Sequence, residues 1–171
     1  MKRNSLWTLE ITIIAFTVSF LFSALSETVM PKVNIYLSIL ILILFILIGI
    51  VFDMIGVAIT TCDIKPFRSM SAKRIKYANV GINLINNSAK VSSFCNDVIG
   101  DICGIISGSA GVLIAVTISS KFNTDTLLTT LIVTSLIAAT TIGGKSLGKS
   151  TSIKNNISIV KIISKILAIF V

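Results

Sequence analysis

The chain has no histidine at all among 171 residues. That excludes Ser-His and Cys-His nucleophile pairs and every imidazole metal ligand. Acid is nearly as scarce, with seven Asp and Glu against fifteen Lys and Arg. Three cysteines, Cys62, Cys95 and Cys103, show no zinc spacing and no framework for disulfides. No strand-rich region, linker, low-complexity tract or second domain interrupts the chain. No interleaving of bases with aromatics supports a nucleic-acid partner, despite the net charge of +8.

What is present is apolar. Hydrophobic residues make up 54% of the chain, and mean hydropathy is +0.97. A soluble domain of this size does not carry that much; a helical membrane protein does. Four predominantly apolar stretches are candidates to span. Ile11 to Ser26 follows a basic start, Met1-Lys2-Arg3, with Trp7 as an interfacial anchor. A cleaved leader is the competing reading, with Ala24-Leu25-Ser26 as the processing site. Met30-Pro31 and Lys32 form an outer turn, and Val33 to Phe52 is long enough to cross a bilayer. Asp53 interrupts that run and Ile55 to Thr61 continues it. The third span is Ser92 to Ile118, and the fourth is Thr126 to Gly144.

Bases set the topology. Lys65, Arg68, Lys73, Arg74, Lys76 and Lys90 lie between the second and third spans. Lys145, Lys149 and Lys154 follow the fourth. Basic loops stay inside, so both termini are expected to be cytoplasmic, in a multi-pass bacterial plasma-membrane protein. Pro66 breaks any continuous helix after the second span. Ser71 to Ser88 reads as one surface helix. Ser150 to Val171 reads as an amphipathic helix on the inner leaflet, with Ile153, Ile157, Val160, Ile163, Leu167 and Phe170 toward lipid.

Two stripes bear chemistry. At helical spacing, Ser93, Asn96, Asp97, Gly100, Asp101, Gly104, Ser107, Gly108 and Gly111 share one side. On the second span, Gly49, Asp53, Gly56 and Thr60 do the same. A charged group at mid-bilayer costs on the order of 2.5 to 3.5 kcal/mol, and no base lies on either stripe to offset it. Hard divalent cations take oxygen ligands, and magnesium keeps much of its water, which suits a roomy, small-residue cavity. The expected ligands are Asp53, Ser93, Asn96, Asp97 and Asp101. Blander readings stand beside this one. Asp97 and Asp101 can sit solvated at the inner membrane edge. Asp53 can pair with Lys65 or Lys90. The glycines can simply pack helices. An enzyme of lipid head groups working through a metal would need further ligands, and none recur on these faces.

From Phe52 to the C terminus the chain resembles the transmembrane domain of the CNNM/CorC (CorB) magnesium transporters. Phe52-Asp53-Met54-Ile55-Gly56-Val57-Ala58-Ile59-Thr60 stands where that family ends its first span. Lys73-Arg74 and Asn86-Asn87-Ser88-Ala89-Lys90 stand in its basic belt. Cys95-Asn96-Asp97-Val98-Ile99-Gly100 matches an asparagine-rich run by the ion. Gly143-Gly144-Lys145-Ser146-Leu147-Gly148-Lys149 matches a glycine-glutamate-x-x-proline-lysine motif. The family's two glutamates fall at Gly56 and Gly144, its proline at Gly148, and no CBS domains are seen, so nucleotide sensing is not expected. The resemblance makes residues 33–171 a CNNM/CorC-like transmembrane domain and residues 1–32 an extra helix with its outer turn. It implies magnesium as the transported or bound ion, sodium as a coupling ion, and a homodimer in membrane lipid. The alternative is a degenerate, non-transporting subunit that holds a membrane or cytoplasmic protein partner through its glycine faces.

Overall fold

The computed structural model describes residues 2–29 and 32–169. Among them the chain is all-helical, without strands. The helices are α1 (Lys2–Val29), α2 (Ile35–Thr61), α3 (Lys65–Ala72), α4 (Lys76–Asn86), α5 (Ser88–Ser93), α6 (Asp101–Phe122), α7 (Thr126–Lys154) and α8 (Asn156–Leu167). A π-helical turn, Phe94–Gly100, joins α5 to α6. Four stretches are long and apolar enough to cross a membrane: Leu9–Thr28, Ile35–Thr61, Ser88–Phe122 and Thr126–Lys154. They cover the four stretches expected from hydropathy. The expected turn at Met30-Pro31, the Trp7 side chain and Phe170 lie outside the described residues.

Many hydroxyls inside these helices donate back to their own helix, while Ser26 Oγ and Ser152 Oγ are buried without a partner. Ser107 Oγ donates to Cys103 O at 2.6 Å, Thr134 Oγ1 to Thr130 O at 2.8 Å, and Thr141 Oγ1 to Ile137 O at 2.8 Å. The carbonyl one turn back lies within reach of such a hydroxyl. Thr134 and Thr141, two of the small polar residues on the fourth span, are thus turned onto their own helix.

Three sequence expectations are corrected. The surface helix from Ser71 to Ser88 is two helices, because Arg74 takes a left-handed φ of 57° between α3 and α4. The C-terminal amphipathic helix does not begin at Ser150: α7 runs through to Lys154, and α8 starts at Asn156. The third span is not one continuous α-helix, since the π-helical turn interrupts it. Pro66 does act at a boundary. It stands in the first turn of α3, where its missing N–H costs nothing.

The chain clusters into two compact units, Met1–Ile50 with Val98–Gly144, and Val51–Asp97 with Lys145–Val171. In the first, α6 is central. Its Ala110 and Ile114 pack with Leu42 and Ile46 of α2, and Ile137 of α7 adjoins them. Its Ile102 and Ile106, with Val98, pack with Ile11, Ala15 and Val18 of α1. The turn after α6 is shaped locally: Asn123 adopts φ 50° as the helix ends, and Asp125 Oδ1 caps α7 by accepting from the Leu127 amide at 3.0 Å.

The second unit is built around Phe67, which is fully buried with Ala58, Ile59, Cys62 and Val160. Burying such a ring is worth about 1.5–3 kcal/mol. Helix α4 lies between α3 and α8 by contact. Gly81 makes that approach feasible, since a Cβ there would run into the Phe67 ring and lie 2.9 Å from Ser164 Oγ. Asn156 Nδ2 donates to Thr61 O at 2.9 Å, which satisfies a carbonyl left open where α2 ends.

Candidate ion site

Burial divides the polar residues of the π-helical turn and α6. Along this segment Asn96 is half-buried and Gly100, Cys103, Ser107 and Gly111 are buried. Asp97 and Asp101 are exposed, and Gly104 and Gly108 are half-buried, with nothing within 4 Å of a Cβ at either glycine. The single stripe of the sequence is therefore two adjacent lines, one turned inward and one outward.

Within the second unit, α2 meets the π-helical turn at Gly56 and Asn96. Gly56 is buried, and a Cβ built on it would land on Asn96 Oδ1, with Cγ at 2.8 Å and Nδ2 at 3.0 Å. The Asn96 carboxamide thus fills the space that any side chain at 56 would need. Its Nδ2 donates to Ser92 Oγ at 3.3 Å. Its Oδ1 is buried and accepts no hydrogen bond. An orphaned buried carbonyl of this kind costs about 1–3 kcal/mol. Asp53 stands three residues before Gly56, hence on the same side of α2, and is half-buried.

The five expected ligands fare differently. Asn96 is seated against Gly56, and Asp53 shares the Gly56 side of α2. Ser93 is half-buried, but the hydroxyl bonded to Asn96 belongs to Ser92, which the sequence reading passed over. The i, i+4 spacing of Ser92 and Asn96 carried that signal. Asp97 faces outward, and so does Asp101 at the start of α6. Among the described residues no group of three or more Cys, Asp or Glu is placed to hold a metal ion. Carboxylates alone do not form a cage here, so any cation would need amide, hydroxyl and water oxygens.

The three cysteines are buried. Cys62, just past the end of α2, has its thiol pKa raised above 9.0 by burial first and by the Asp63 carboxylate second. It is an inert packing residue rather than a nucleophile.

Comparison of the chain with protein-family models, with curated proteins and with solved structures returns no match.

Proposed function

We propose that this is a multi-pass membrane protein that carries a divalent cation, magnesium, past Asn96 and Asp53 near the inner ends of its spans. The carrying observation is the buried, unpartnered Asn96 Oδ1 set against Gly56 on the Asp53 side of α2. A cation with part of its water retained supplies what that oxygen lacks. Magnesium sheds water reluctantly, so it suits a site with one carboxylate and neutral oxygens better than a closed carboxylate cage.

Helix length sets the depth. Asp101 precedes Lys121 by twenty residues along α6, and Lys145 follows Asp125 by twenty along α7. At 1.5 Å per residue each interval is about 30 Å, one hydrocarbon thickness. Asp53 lies eighteen residues into α2, or about 27 Å. The acids thus mark the inner boundary rather than mid-bilayer, where charge is cheaper and water is at hand. The second unit holds eleven of the fifteen bases and three of the seven acids, so the whole formal excess of +8 belongs to it. On the positive-inside bias, the basic segments 65–90 and 145–165 and both termini belong on the cytoplasmic side of a bacterial plasma membrane.

The resemblance to the CNNM/CorC domain accords with this reading in one respect. Where that family has a glutamate, Gly56 leaves room for the Asn96 oxygen. On this reading a neutral oxygen replaces the missing carboxylate, sodium is the coupling ion, the unit is a homodimer, and no covalent chemistry occurs.

The test is melting of the purified protein against magnesium, calcium, manganese and sodium, followed by flux into vesicles. A ligand at a hundred times its Kd stabilises by about 2.7 kcal/mol. Magnesium should raise the melting temperature beyond the effect of equal ionic strength, and Asp53→Asn and Asn96→Ala should each remove that rise. No metal-dependent rise in the wild-type chain overturns the proposal.

A second reading rests on a different observation. Gly104, Gly108 and Gly143 have open space over them, and no residue of α7 from 126 to 144 is buried. Those faces suit close approach of another helix, as in a non-transporting subunit that binds a protein partner. Partner capture that persists in chelator, with no magnesium flux, favours it.

A further inference from the structure

We infer that α8 rests a strip formed by Ile162, Ile166 and Ile169 on an anionic lipid surface. The strip is not the face that amphipathic patterning selects. Val160 and Ser164 are fully buried, and Ser164 lies against Gly81 of α4. Protein therefore covers that side at Val160 and Ser164, while Ile157 and Leu167 toward its two ends are 42% and 38% exposed. At about 100° per residue, Ile162 and Ile166 fall within about 40° of one another on the side opposite Val160 and Ser164, and Ile169 follows in the turn just past the end of α8. They are 58%, 52% and 80% exposed.

Lysines edge the strip. Lys161 and Lys165 follow along one flank, and the Lys165 ammonium lies 5.4 Å from the centre of the Tyr77 ring on α4. Isoleucines beside a lysine row match the acyl boundary and the headgroup layer, with the lysine stems lying along the apolar surface. The outward residues of α3 and α4 make the contrast. Lys65, Arg68, Lys73, Arg74, Lys76, Asn79, Asn83 and Asn86 are exposed there, and among the described residues no large exposed hydrophobic falls between 64 and 93. Charge selects the lipid, since the unit that contains α8 carries the entire +8 excess and so favours acidic head groups. This inference uses the membrane part of the reading above and none of the cation part.

The test is site-directed spin labelling of the full chain with its three cysteines changed to alanine. Labels go in turn at Ile162→Cys, Ile166→Cys, Ile169→Cys, Asn83→Cys and Leu136→Cys. The protein is reconstituted in phosphatidylcholine vesicles with or without phosphatidylglycerol. Oxygen should reach the three α8 labels several-fold more than a nickel chelate does, the preference should deepen with phosphatidylglycerol, and Asn83 should show the reverse preference. Equal access of the chelate at the α8 labels and at Asn83 overturns the inference. So does exclusion of both reagents, which would mean that protein covers the strip. Leu136, exposed in the middle of α7, separates the failures: if it is lipid-bound while the α8 labels are wet, only the α8 inference falls. A second readout keeps the native cysteines. Ile166→Lys should melt as wild type in neutral detergent yet lose most of the stabilisation that acidic vesicles give; an undiminished gain overturns the inference.

Discussion

Replacing Gly56 with alanine tests the central contact of the candidate site. The new Cβ would collide with Asn96 Oδ1 and stand within 3.0 Å of the Cγ and Nδ2 atoms. The carboxamide must then leave its seat and give up the Ser92 hydroxyl at 3.3 Å. Overpacking costs about 1–3 kcal/mol, and losing the hydrogen bond about 0.5–1.5 kcal/mol. Alanine returns about 1 kcal/mol as the better helix former. The net loss is about 0.5–3.5 kcal/mol, which for a chain of this size lowers the melting temperature by about 1–14 °C. The assay is a double-mutant cycle in detergent, read by fluorescence melting. Asn96→Ala removes both the obstacle and the orphaned oxygen, so alone it should be close to neutral without metal. In that background Gly56→Ala should cost nothing, or stabilise by up to about 1 kcal/mol. An equal loss in both backgrounds, or no loss in the wild-type chain, would refute the contact and with it the geometry of the site.

Other perturbations probe the rest of the molecule. Gly81→Ala drives a methyl into the fully buried Phe67 ring, so chymotrypsin should cut the α3–α4 region at a lower temperature, with a stability loss of about 1–3 kcal/mol. Gly104→Ala and Gly143→Ala meet nothing within 4 Å; both should hold or gain up to about 1 kcal/mol, and bulkier residues there should lower partner capture only if the second functional reading is right. Asn156→Ala removes the bond to Thr61 O and should cost about 0.5–1.5 kcal/mol, seen as faster amide exchange at the start of α8. The raised Cys62 pKa keeps the thiol protonated in the folded state. Its contribution to stability is thus present at neutral pH and lost as pH rises through 9.0, and maleimide labelling at Cys62 should be slow at pH 7 and quicken on unfolding.

Much of the architecture can be read from the chain itself. The uncharged runs that end at Asp53 and Lys145 fall largely within α2 and α7, although those helices continue past the charges to Thr61 and Lys154. The polar stripe could not be assigned in the same way. Helical spacing puts Asn96 and Asp97 on neighbouring lines about 100° apart, and spacing alone does not say which line a neighbouring helix covers. Asn96 is half-buried and Asp97 is exposed. The α8 face was only partly legible for a related reason, since Val160 is buried while Ile157 and Leu167 stay exposed. That helix is apolar on more than one side, and patterning cannot say which side a neighbouring helix takes.

By itself, the sequence determined a basic, histidine-free, helical chain with four stretches able to cross a bilayer, because composition and run length act locally. Only the tertiary structure decided that Gly56 receives the Asn96 carboxamide and that α4 claims the Val160 side of α8. Both outcomes depend on which helices approach one another and at what register, and packing between residues forty or more apart in the chain sets that.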